Sequence, residues 1–183
     1  MKALIIIIAN ILLSISLQAQ TTLKANILKT QISWTGYASV GNYAPTGTLS
    51  LSKGTVVLKD KKIAKAIIEF DMKTITHENK DLQNHLKNED FFDVEKYPKA
   101  IFILEKVVKN QAVGILKIKD IQKRITFPIV LEQSNNETHI KSIIIIDRTQ
   151  FGIKYNSTNF FQNLGDYAIK DNFELKVDLL VEN

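Results

Sequence analysis

Imidazoles and paired carboxylates are where chemistry would start in this chain. It has three histidines, His77, His85 and His139. Imidazole can serve as acid, base or metal ligand. His77 and His85 lie eight residues apart, which is not the i, i+4 spacing of a helical metal pair, and His139 is remote. His85 reads as a helix surface residue. No cysteine is present, so thiol chemistry and cysteine-based metal sites are excluded. The sequence contains no Gly-x-Ser-x-Gly elbow, phosphate-cradling glycine loop or zinc motif. Acidic residues are frequent, but no spacing marks two of them as an acid–base pair.

Recognition chemistry is better supplied. Asp147-Arg148 is either a buried pair fixing the chain where strand becomes loop, or a guanidinium fork for a diphosphate. Trp34 is the only tryptophan, and Tyr37, Asn42 and Tyr43 follow it closely. These polar-tipped rings fit either turn packing or contact with a ligand head group. Phe91 and Phe92 fit either an anchor for a helix exit or a pocket wall, since aromatics dominate both settings.

The elements that must position these residues are strands. Phe173, Leu175, Val177, Leu179 and Val181 alternate with polar residues, as do Ala64, Ala66, Ile68 and Phe70, and Ile125, Phe127, Ile129 and Leu131. Such repeated alternation predicts an antiparallel all-β domain with one buried face. Predicted strands are 26–40, 45–52, 54–59, 62–72, 99–108, 111–119, 123–133, 137–147 and 172–182. Ser52-Lys53-Gly54, Lys109-Asn110 and Ser134-Asn135-Asn136 read as turns. Eight or nine strands suit a closed up-and-down barrel without exposed edges. His77–Asn88 predicts a short helix, with Leu82 and Leu86 on one face. Residues 156–170 lack periodicity and read as a long loop. A barrel of this size is either filled or hollow. The small residues Ala64, Ala66, Ala100, Ala112 and Gly114 on its candidate inward faces are compatible with both.

Residues 1–19 read as a cleaved secretory signal peptide. Lys2 supplies the positive start, Ala3–Leu17 the apolar run, and Leu17-Gln18-Ala19 the cleavage site, so the mature chain would begin at Gln20. The run is shorter than the roughly 20 residues that span a bilayer. Residues 20–183 then form one domain, expected to be periplasmic or secreted. The formal charge is +5, and loss of Lys2 removes one positive charge. The lysines are scattered, which argues against nucleic acid. Weak, salt-screened contact with anionic membrane surfaces fits them.

Asp90–Phe102 resembles the phrase FFDV-x-x-YP-x-A-x-F of the YceI-like, polyisoprenoid-binding family. Asp147–Tyr155 resembles its DR-x-x-F-G-I-x-Y phrase, and Gly165–Asp171 its GD-x-x-I-x-D phrase. Ile32–Gly36 and Gly114–Ile118 agree more loosely, and the resemblance runs in order from Ile27 to Val181. It implies an antiparallel eight-stranded lipocalin-like barrel with one short helix between strands. It also implies an exported carrier, not an enzyme, that holds an isoprenoid quinone, polyprenyl chain or similar amphipathic lipid. No cofactor is required, and a homodimer is expected. The ligand-binding residues implied are Trp34, Tyr37, Tyr43, Ala66, Ile68, Phe70, Phe92, Phe102, Leu104, Leu116, Phe127, Arg148, Phe151 and Tyr155. Two departures stand out. Pro45-Thr46-Gly47 occupies the region where many members have a histidine, and Asp120 replaces a hairpin glycine. Two alternatives remain: an enzyme acting on a bound lipophile, and a filled barrel with a partner-binding or stress-related role.

Overall fold

The computed structural model describes residues 20–134 and 137–182; the segment read as a signal peptide lies outside them. Eleven strands are described: β1 (Gln20–Ala25), β2 (Gln31–Thr35), β3 (Thr46–Thr48), β4 (Ser50–Lys59), β5 (Lys62–Asp71), β6 (Lys99–Val108), β7 (Gln111–Ile118), β8 (Ile121–Pro128), β9 (Val130–Gln133), β10 (Thr138–Asp147) and β11 (Asn172–Glu182). Every ladder is antiparallel. Three neighbouring pairs, β1–β2, β3–β4 and β8–β9, are interrupted single stretches, which reduces eleven segments to the eight expected.

The interruptions correct several boundaries. The predicted strand 26–40 is split. A turn at 27–29, in which Asn26 Oδ1 accepts from the Lys29 amide, separates β1 from β2, and the chain leaves the sheet after Thr35. Ser52-Lys53-Gly54 is not a turn: β4 runs through it with a register shift between Leu51 and Lys53. The predicted strand 123–133 breaks at Ile129, just after Pro128, which has no N–H to give a ladder. The barrel is also not strictly closed. β9 joins β10 through four residue pairs, Thr138–Gln133 to Lys141–Val130. Among the described residues no ladder joins β8 to β10 itself, although Ser142 Oγ donates to Pro128 O.

Asp60-Lys61 and Lys109-Asn110 make two-residue hairpins with both residues at positive φ, the geometry that matches strand twist. Helix α1 spans Lys80–Lys87. Asn79 caps it by accepting from the Asp81 and Leu82 amides, with Asp81 in the first turn and Lys87 in the last, as the helix dipole favours. Leu86 is buried and Leu82 partly so. Beyond α1 the chain folds back on its own helix end: Phe92 N donates to Leu86 O and Val94 N to Lys87 O. Phe91, Phe92 and Val94 are buried in this fold-back and join the barrel core.

Inward side chains of all eight stretches form one core. Ala64 is not among them. A register shift near Val57 and Leu58 bulges it outward, so Ile63 and Ala66 face in. Gly114 does face in, but the Phe102 ring occupies its side-chain space: a Cβ there would lie 2.6 Å from Phe102 Cζ. That glycine serves packing and leaves no room for a guest.

Candidate functional site

One end of the barrel is closed by α1 and by residues 152–171, and Arg148 fixes that closure. Asp147 ends β10 and its carboxylate accepts from the Thr149 amide and hydroxyl, starting a short 3-10 turn, Arg148–Phe151. Gly152, at φ +77, reverses the chain. Arg148 is then buried, with Nη1 donating to Ile153 O at 2.9 Å, Nη2 to Ile169 O at 3.2 Å and Nε to Lys170 O at 3.2 Å. Asp171 Oδ1 is 3.5 Å from Nη2 and balances the charge. Burial pulls the guanidinium below its ordinary value, opposed by Asp171 and Asp147. For Asp147, burial is the strongest single influence and acts upward, yet hydrogen bonds from Thr149 and Gln150 outweigh it and hold the carboxyl low. The fork that could have gripped a diphosphate thus binds three loop carbonyls.

Beneath this closure lies an apolar chamber of about 90 Å³. Trp34, Met72, Leu86, Phe91, Phe92, Ile153 and Phe173 are among its walls, and the only charged side chains there are Arg148 and Lys170. A second chamber of about 80 Å³ continues along the barrel toward the β4–β5 and β6–β7 hairpins. Ala66, Ile68, Phe102, Leu104, Phe127 and Ile144 line it, with Ser142 as its one polar residue. Phe70, Leu116, Ile146 and Leu175 belong to both walls, so the chambers abut along the axis. Each could hold several waters by size, but apolar walls offer water few partners. By mutational cavity costs of about 24 cal/mol per Å³, each empty chamber costs on the order of 2 kcal/mol.

Ten of the fourteen residues named from the sequence meet in these walls: Trp34, Phe92 and Arg148 in the first, Ala66, Ile68, Phe102, Leu104 and Phe127 in the second, Phe70 and Leu116 in both. The other four lie elsewhere. Tyr37 sits under Lys170 Nζ, 5.7 Å from its ring centre, and Tyr43 is exposed. Phe151 is buried in the 3-10 turn, and Tyr155 packs on His85 and Phe91 at 4.4 and 5.6 Å between ring centres. Sequence reasoning missed Ile146, Leu175 and Phe173, although the alternation along β11 had marked Leu175 and Phe173 as inward.

The histidines stay apart. His85 is half-buried and not free on the helix surface: its ring packs between Phe91 and Tyr155, with Nε2 3.8 Å from Asp90 Oδ2. His77 is buried against Trp34, and His139 pairs with Asp178 at 2.7 Å. Among the described residues no group of three His, Asp or Glu side chains is placed to hold a metal. At the departure Pro45-Thr46-Gly47, Trp34 Nε1 donates to Thr76 O at 3.1 Å directly over Gly47, where a Cβ would lie 1.8 Å from that oxygen.

Fold and interior together define a lipocalin-like antiparallel barrel with apolar internal chambers. The chain belongs to the YceI-like domain family, whose model matches residues 22–181. A UPF0312 protein of Staphylococcus epidermidis is 30% identical over 106 residues, 54% of this chain and 62% of that protein. A Staphylococcus aureus counterpart is 29% identical over the same shares, so the chain spans somewhat under two thirds of the length of these relatives. Among solved structures it is similar to Burkholderia cenocepacia BcnA, with TM-score 0.70 and 19% identity over 85% of this chain and 98% of that one. It is also similar to a polyisoprenoid binding domain from Saccharophagus degradans implicated in plant cell wall breakdown. That match has TM-score 0.68 and 9% identity, over 90% of this chain and 98% of that one. At such identities the structures establish the shared fold.

Proposed function

We propose that this chain is an exported carrier that holds a polyisoprenoid or similar amphipathic lipid along its barrel axis, and that it does no bond chemistry. The observation that supports this best is the pair of abutting apolar chambers that meet at Phe70, Leu116, Ile146 and Leu175. A polyprenyl tail gains about 0.8 kcal/mol per methylene-sized group on leaving water. Filling the chambers also removes the cavity cost. Ligand ordering offsets much of this gain, so affinity follows apolar area and discriminates weakly between tails of similar length. The family and the fold shared with a polyisoprenoid binding domain support the choice of tail. With Arg148 committed to the closing loop, a head group would meet Lys170 or solvent.

Solvent extraction of the purified protein followed by lipid analysis tests the carrier reading. An isoprenoid in the extract, or stoichiometric uptake of added polyprenol, is expected. An extract free of lipid together with no uptake would overturn it. Export rests on residues 1–19 and is tested by the N-terminal sequence of the secreted chain, expected to start at Gln20. Conversion of the bound isoprenoid into a product would favour the enzyme instead.

A further inference from the structure

The closed end of the barrel carries a second feature that the carrier reading does not use. Large apolar side chains stand exposed on two loops, Val40 and Tyr43 on one and Phe160, Phe161 and Tyr167 on the other. The loops are tied into one platform. Ala38 bridges Ile169, Ser39 N donates to Ala168 O at 2.8 Å, and Lys170 N donates to Tyr37 O at 2.9 Å. The second loop is pinned by the Arg148 bonds and by Asn159 Nδ2 donating to Asp171 Oδ2 at 2.6 Å. Exposed aromatics on so firmly held a loop are not the residue of fraying. A ring in each half of the platform also lies under a lysine of the second segment: Lys154 Nζ is 4.6 Å from the Phe160 centre, and Lys170 Nζ is 5.7 Å from that of Tyr37.

We propose that this platform docks the protein on an anionic lipid surface. Aromatic side chains favour the headgroup level of a bilayer, and flanking lysines snorkel to anionic headgroups. The platform is continuous with the first chamber, since Gly36, Ile169 and Lys170 belong to that chamber's wall. A second copy of the chain fits less well: the exposed charges of the second loop, Lys154, Lys170 and Asp166, leave it net positive, and a copy would present the same sign. The docked end is therefore the end nearest the first chamber, which is where a lipid would exchange. The proposal stands apart from the carrier reading, because vesicle binding and ligand retention are read separately.

The test is co-sedimentation of the mature chain with vesicles of phosphatidylcholine, with and without phosphatidylglycerol. Sedimentation with the anionic vesicles is expected, reduced by salt. Phe160→Ser combined with Phe161→Ser should weaken it by about tenfold or more, from the lost apolar burial. Tyr167→Ser, at a residue 79% exposed, leaves the fold intact and should weaken it several-fold. Leu28→Ser changes the most exposed apolar residue away from the platform, 97% exposed, and should leave binding unchanged. No binding to either vesicle would overturn the proposal. So would full binding by Tyr167→Ser and by the double variant, or an equal loss in Leu28→Ser.

Discussion

Arg148 holds the closing loop in place, because its guanidinium satisfies carbonyls that burial has removed from water. Replacing it by alanine leaves the carbonyls of Ile153, Ile169 and Lys170 and the Asp171 carboxylate without that donor. Arg148→Ala is therefore expected to destabilise the fold by about 3 kcal/mol in urea unfolding, and to open residues 152–171 to protease. Arg148→Lys should recover only part of this, since one ammonium cannot reproduce the fork. Its neighbour Asp147 gives a pH signature. The folded carboxyl titrates below its unfolded value, so its contribution is full above the ordinary carboxylate range and fades as pH falls through the folded value. Asp147→Ala should cost about 1 kcal/mol at neutral pH as a lost cap. Chemical denaturation across pH should show that difference shrinking in acid; a difference that grows in acid would contradict the assignment. The sequence left Arg148 open between clamp and ligand fork. Its partners lie five to more than twenty residues downstream, on a loop without periodicity that gives no hint of where its carbonyls point.

At the scale of elements, alternation predicted most strands but not their interruptions. β5, β6, β7, β10 and β11 fall close to their expected bounds, each set off from its predecessor by a turn or loop. β1 was missed because it buries Leu23 alone, so no alternating face exists to read. The break at Asn26–Thr30 rests on a local turn, that at Ile129 follows Pro128, and the bulge at Ala64 is a register shift within the β4–β5 hairpin, none of which alternation records. A Cβ at Gly47 meets Thr76 O at 1.8 Å, whereas Gly41, at φ +74, has open space around it. Gly47→Ala is thus expected to cost more than about 3 kcal/mol, or to prevent folding, by forcing backbone apart. Gly41→Ala should cost only about 1 kcal/mol, from its left-handed conformation. Thermal melts of the two variants decide this; equal losses would contradict the close approach at Gly47.

Across the whole molecule, ordered phrases along the chain made the family legible, and the family made the barrel legible. Whether its interior was hollow was not legible. Five small residues had been marked as inward, but Ala64 faces out and the Phe102 ring fills the space at Gly114, while Ala66, Ala100 and Ala112 line the chambers. Volume is a property of all neighbours at once, and spacing along one chain does not encode it. Ala66 is accordingly the position from which to close the second chamber. Ala66→Phe should cost about 1–3 kcal/mol through overpacking and leave the first chamber and Arg148 undisturbed. Native mass spectrometry of wild type and Ala66→Phe, as purified and after incubation with a polyprenol, tests the lipid-holding interior most directly. The expected result is a lipid-sized mass increment on the wild type, removed by organic extraction and lost or much reduced in Ala66→Phe. The bare chain mass for wild type in both conditions, or equal loading of the two proteins, would contradict it.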